Sequence, residues 1–90
     1  MDNVEMGDVV KSVAGRDKNK YFLVIDVCGK FAYIADGKIR KIQNQKRKNV
    51  KHLIKAAGAS LISDAVKIKR GEPFGNERLY KAINRVIQKF

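Results

Sequence analysis

One cysteine and one histidine are all that this 90-residue chain offers a soft metal ion or a nucleophilic mechanism. A lone Cys28 forms no intramolecular disulfide, and one thiol with one imidazole is too few ligands for zinc. No nucleophile, base and orienting partner can be assembled from Cys28 and His52. Asp8, Asp17, Asp26, Asp36 and Asp64 are scattered without the spacing of a metal-dependent RNA-cutting centre. The expectation is a protein with no catalytic residue, metal or cofactor. In it Cys28, at a strand end, is a small buried hydrophobe and His52 a surface or packing residue. Also missing is any apolar stretch near the ~20 residues of a membrane span. Met1 to Met6 carries acids where a secretory signal would begin basic and turn apolar. A cytoplasmic protein with no membrane partner is expected. No repeat or low-complexity tract divides the chain, whose length suits one domain.

A further absence is local: no Asp or Glu occurs between Gly37 and Ser63. That window instead holds Lys38, Arg40, Lys41, Lys46, Arg47, Lys48, Lys51 and Lys55. Over the whole chain 20 Lys and Arg face 9 Asp and Glu, a formal charge of +11. Self-repulsion of that size opposes compaction unless a polyanion relieves it, and a nucleic acid is the natural candidate. Cations on a loop and its flanking strands neutralise phosphates and release condensed counterions, which gives salt-sensitive affinity without sequence information. Specificity must come from elsewhere: Arg16, Arg40 and Arg47 are able to make forked contacts to phosphates or base edges, and Asn44, Gln45, Asn49 and His52 to hydrogen-bond or stack with unpaired bases.

The apolar pattern begins in strand period and ends in helix period. Gly7 to Ala14, rich in Val, reads as a first strand with Val9 and Val13 inward and Val10 a further candidate for its buried side, ended by Gly15. The polar Arg16–Lys20 loop leads to Tyr21–Val27, an apolar run of strand length. Gly29–Lys30 turns the chain into Phe31–Ala35. Asp36–Gly37 then signals a two-residue hairpin into a fourth strand, Lys38–Ile42, with Lys38 and Arg40 on one exposed face. Gln43 to Lys51 reads as a basic loop and His52–Ala57 as a fifth strand. Five short strands with tight turns favour a small closed barrel, because closure removes exposed edges. Ser63 is the expected N-cap of a helix that runs to Arg70 and stops at Gly71. Asn76 or Gly75 caps a second helix, whose apolar stripe is Leu79, Tyr80, Ile83, Val86, Ile87 and Phe90. Phe22, Phe31 and Phe74 are assigned to the core, while Tyr21 and Tyr33 suit either side of a strand.

The stretch Gly7-Asp8-Val9-Val10 through Gly15-Arg16-Asp17-Lys18-Asn19-Lys20-Tyr21-Phe22-Leu23-Val24 resembles a KOW motif, the strand, loop and strand unit of many ribosomal proteins. Ala35-Asp36-Gly37-Lys38-Ile39-Arg40 and Lys46-Arg47-Lys48-Asn49-Val50-Lys51-His52-Leu53 extend the likeness. They resemble short bacterial KOW-domain RNA-binding proteins, which are similar to a eukaryotic and archaeal large-subunit ribosomal protein family. The glycine usual in the KOW loop falls at Asn19, and Asn is the non-Gly residue best able to take a left-handed conformation. The resemblance covers roughly Gly7 to Leu53 and implies an SH3-like barrel; with the strand and helix pattern the expectation is a mainly β fold, a five-stranded barrel over residues 1–58 with a helical C-terminal extension over 59–90 packed on or beside it. It implies a non-catalytic, ribosome- or translation-associated protein binding structured RNA, ribosomal RNA foremost. The basic positions it carries over are Arg16, Lys18, Lys20, Arg40, Lys46, Arg47, Lys48, Lys51 and His52; Lys38 and Lys41 join them as neighbours on the same segment. The alternative is an SH3-like interaction module whose groove or C-terminal helix docks a ribosomal or transcription protein.

Overall fold

The computed structural model describes residues 3–89, so Met1, Asp2 and Phe90, the last position of the expected helical stripe, lie outside the described residues. Five strands are present: β1 (Val9–Ser12), β2 (Tyr21–Cys28), β3 (Phe31–Ala35), β4 (Lys46–Asn49) and β5 (Leu53–Ala57). Two helices follow, α1 (Ile62–Lys69) and α2 (Asn76–Ile87). All pairings are antiparallel and the strand order is β4-β3-β2-β1-β5.

The sheet is strongly coiled. β4 and β5 are at opposite ends of the strand order, yet only the 3-10 turn Val50–His52 joins them. Across a flat sheet four strand spacings would separate them by about 19 Å, whereas the four residue steps from Asn49 to Leu53 reach about 14 Å at most. The sheet must bend to bring its edges together. No ladder links β4 to β5 among the described residues, so it stays open.

Coiling gives β2 two buried faces. Phe22 and Val24 point into an inner cluster with Val10, Ala32, Ile34 and Leu53. Leu23 and Ile25 point outward into a second cluster with Val9 and Ala35, closed by Ala65 and Ile68 of α1 and Leu79 and Ile83 of α2. This is why Phe22-Leu23-Val24-Ile25 is unbroken in its apolar character: a strand covered on both sides has no polar face to show. Register jumps between Val24 and Asp26. Alternation keeps Ile25 on the helix side with Leu23, and the bulge shifts the phase beyond it, so that Val27 packs against the inner cluster. The two helices are thus a lid on the outer face of the sheet and share its core.

The fourth strand is not where alternation placed it. Asp36 is buried, and its Oδ1 accepts the backbone N–H groups of Lys38 (3.0 Å), Ile39 (2.9 Å) and Arg40 (2.8 Å). Asp36 and Gly37 in turn donate their own N–H groups to the Arg40 carbonyl. A side chain that collects three amides folds Lys38–Arg40 into a closed turn and leaves none for a ladder. After a 3-10 turn at Ile42–Asn44, the strand is built from Lys46–Asn49, the segment expected to be a basic loop. An edge strand tolerates that composition, and its charges discourage edge-to-edge association. Gly37, at φ +80°, also lies against the first residue of α2, where a Cβ would overlap the Asn76 carbonyl.

Other corrections are smaller. Val10 and Val9 are both buried and Val13 is exposed, because β1 is covered on both faces like β2. Cys28 is exposed at the end of β2. α1 starts at Ile62 with Leu61 as its N-cap, so Ser63 lies inside it. α2 starts after Gly75, one of the two caps expected for it. Asn76 spends its side chain on a tether, accepting from the Ile42 N–H (2.8 Å) and donating to Gln43 Oε1 (2.9 Å).

Candidate nucleic-acid interface

The β1–β2 loop is shaped from within by Asn19, which takes the left-handed conformation at φ 69° and donates its N–H to the Ser12 carbonyl (2.8 Å). Lys20 accepts from the Ser12 N–H (2.9 Å), which closes the base of the loop. Arg16, Lys18 and Lys20 are exposed, while Asp17 between them is 2 % exposed. A carboxylate so buried needs a partner. Arg40 supplies it, with Nη2 at 3.0 Å and Nε at 3.3 Å from Asp17 Oδ2.

That ion pair fastens the Asp36–Arg40 turn to the loop, and two more bonds fasten the other side. Lys48 reaches from β4 to donate to the Ala14 carbonyl (2.8 Å), and the Val13 N–H donates to the carbonyl of His52 (2.9 Å). Segments separated in sequence, Arg16–Lys20, Lys38–Lys41 and Lys46–His52, are therefore brought together. Their members are not equivalent. Arg40 and Lys48 are half-buried and their cationic groups are engaged, so both are braces; Arg40 does not lie on an exposed strand face. His52 is half-buried in the 3-10 turn. Lys38 is exposed but lies with Nζ 5.1 Å from the centre of the Tyr80 ring. Lys41, Lys46, Arg47 and Lys51 are exposed, and like the loop cations they form no ion pair among the described residues.

The acids are arranged to leave this region positive. Asp8, Asp17 and Asp36 are buried. Asp8 accepts from the Glu5 and Ala59 N–H groups and lies 3.4 Å from Lys55, which removes Lys55 from the free cations. Asp26, opposite Tyr33 in the β2–β3 ladder, pairs with Lys69, Glu72 with Arg70 and Glu77 with Lys81. The Lys81 hydrogen bond, and then its charge, hold the Glu77 carboxyl below the usual glutamate range. No three His, Cys, Asp or Glu side chains gather into a metal site among the described residues. Among the described residues no helix is long and apolar enough to cross a membrane.

The sequence left the aromatic part of this surface open at Tyr33 and assigned Phe31 to the core. Ala32 and Ile34 fill the inner cluster, so strand alternation turns Phe31 and Tyr33 to the opposite face, where both are half-buried and belong to neither cluster. Phe31 is thus not a core residue, whereas Phe22 is buried and Phe74 packs against the helix-side cluster. Across the ladder Tyr33 pairs with Arg47 and Phe31 with Asn49. The Arg47 guanidinium carbon lies 4.4 Å from the centre of the Phe31 ring. Two rings, a guanidinium and a carboxamide share one strip beside the edge strand. The Phe31-Ala32-Tyr33-Ile34 alternation was the available signal, and it lacked only the position of β4. No protein-family model and no curated protein matches the chain.

Proposed function

We propose that this chain is a non-catalytic RNA-binding protein of the KOW type. Its coiled sheet acts as an SH3-like barrel, and it contacts structured RNA, ribosomal RNA foremost, as a cytoplasmic, ribosome- or translation-associated factor. The observation that carries the reading is that the loop bearing the exposed Arg16, Lys18 and Lys20 is tied through Asp17–Arg40 and Lys48–Ala14 to the segments bearing the exposed Lys46, Arg47 and Lys51, with Phe31 and Tyr33 beside Arg47 and with Asp17 and Asp36 buried. Phosphates need the first element, and unpaired bases are held by the second through stacking. The left-handed Asn19 accords with the resemblance of Gly7 to Leu53 to KOW proteins.

An SH3-like protein-docking module is the competing reading. The stripe of α2 does not favour it, since Leu79 and Ile83 are spent on the sheet. The test is affinity for purified ribosomal RNA and for matched duplex DNA across a salt series, for wild type and for a Lys46→Ala, Arg47→Ala, Lys51→Ala variant that leaves the Lys48 brace intact. With about six phosphates contacted, the log-log salt slope for single-stranded RNA is about −4, and the variant flattens it by roughly two units. Equal binding of every polyanion, or an unchanged slope in the variant, removes this assignment. Protein capture that survives moderate salt would support the docking reading instead.

A further inference from the structure

Beside the cationic loop a cleft of about 270 Å³ opens between the start of β2, the Asp36–Arg40 turn and α2. Its volume is just below the ~300–1,000 Å³ usual for ligand clefts, which suits one flat heterocycle and excludes a helix. Tyr21 and Tyr80 bring aromatic rings, Ile83 and Ile87 an aliphatic floor, and Asn84 a carboxamide able to donate and accept. Lys20 and Lys38, both exposed, stand at the rim. The one acid lining the cleft, Asp36, is buried with Oδ1 turned to three backbone amides.

We propose that this cleft receives one unpaired base of the bound RNA, with the adjoining phosphate held by Lys20 and Lys38. The inference rests on the RNA-binding reading above and adds to it a specific subsite. Charge complementarity argues for a nucleotide: Lys20 and Lys38, the latter with Nζ 5.1 Å from the centre of the Tyr80 ring, set two positive charges at the mouth of an aromatic cleft, where a phosphate beside a stacked base uses both and an apolar protein side chain uses only the floor. Continuity argues likewise. Lys20 belongs to the same loop as Arg16 and Lys18, and the Asp17–Arg40 pair locks that loop to the turn that carries Lys38. A base turned out of a bulge or loop stacks on the phenol rings and presents its edge to Asn84, the mode by which proteins read single-stranded positions in folded RNA.

The experiment uses the full chain and two RNA hairpins that differ only in a single bulged 5-bromouridine, with photocrosslinks mapped by mass spectrometry. Wild type binds the bulged hairpin about tenfold more tightly than the fully paired one, as stacking of a single base permits, and the crosslink falls on Tyr80 or Tyr21. Asn84→Trp, which fills the cleft, abolishes both the preference and the crosslink while affinity for the paired hairpin and its salt slope stay as in wild type. If Asn84→Trp does not fold by circular dichroism, Tyr80→Leu serves the same purpose. Equal binding of the two hairpins, or a crosslink confined to Phe31 and Tyr33, overturns the cleft proposal and leaves RNA binding standing. Failure to bind either hairpin overturns both.

Discussion

The guanidinium of Arg40 lies 3.0 Å from the carboxylate of Asp17, and this pair joins two segments 23 residues apart in sequence at the centre of the cationic region. Arg40 belongs to a basic run and invites reading as a phosphate contact, yet its charge is already committed to a carboxylate that is 2 % exposed. Arg40→Ala should therefore act on folding first. Stranding a buried carboxylate costs about 2–3 kcal/mol, below the full cost for a wholly buried pair because Arg40 itself is partly exposed. Urea denaturation measures it, and a loss below about 0.5 kcal/mol, the range of ordinary surface substitutions, would show that the pair braces nothing. Asp17→Asn, which keeps an acceptor, should cost less.

Asn19 makes the KOW resemblance testable at one backbone position. It holds φ 69° where a glycine is usual in that motif. Asn19→Gly should leave stability within about 0.5 kcal/mol, since Gly enters the left-handed region without steric cost. Asn19→Val places a β-branched residue there and should cost about 1–2 kcal/mol. Thermal or urea unfolding of the two variants decides it: equal losses would mean that the loop does not depend on this conformation.

What was legible in the sequence follows from which interactions were local. β2 and β3 were readable because Tyr21–Val27 and Phe31–Ala35 are apolar runs of strand length, and α2 because its stripe recurs at helical spacing. The fourth strand was not, because its position was decided by Asp36, whose side chain took the amides that a Lys38–Ile42 ladder would have used. Lys46–Asn49 has no apolar alternation to announce it, since an edge strand is stabilised by its ladder to β3 more than by burial. Of the candidate site residues, Arg16, Lys18, Lys20, Lys38, Lys41, Lys46, Arg47 and Lys51 are exposed cations. The division of labour among them was hidden, because Arg40 and Lys48 owe their roles as braces to partners at Asp17 and Ala14. Phe31 was misplaced for the same reason as β4: without the position of the edge strand, nothing opposed assigning a large apolar ring to the core.

Glu77 supplies a pH signature. Its carboxyl is held below the ordinary glutamate range by the hydrogen bond from Lys81 and then by that residue's charge. A lowered folded-state pKa contributes stability that is present above the unfolded value and is lost as pH falls through the folded one. The pair is exposed, so the effect on global stability should be too small to resolve. The titration itself is the observable: carboxyl NMR should place the Glu77 midpoint below that of a free glutamate, and Lys81→Ala should move it up. A midpoint indifferent to Lys81 would show that the pair does not persist in solution.

Phe31 and Tyr33 separate stacking from charge. Both rings lie on the exposed side of β3 beside Arg47, outside either apolar cluster, so truncating them removes surface without opening a core cavity. Removing one stacked base is worth about 1–3 kcal/mol by alanine substitution, and counterion release depends only on the number of phosphates neutralised. Tyr33→Ala should therefore weaken binding of single-stranded RNA by roughly fivefold to a hundredfold while leaving the salt slope as in wild type. Lys46→Ala should flatten that slope by about 0.7. Phe31→Ala adds a cross-check, because it also removes the ring against which Arg47 rests and so should weaken binding and lower the Arg47 contribution together. If Tyr33→Ala flattens the slope, the ring positions a cation; if neither aromatic variant changes affinity, bases do not stack on this strip.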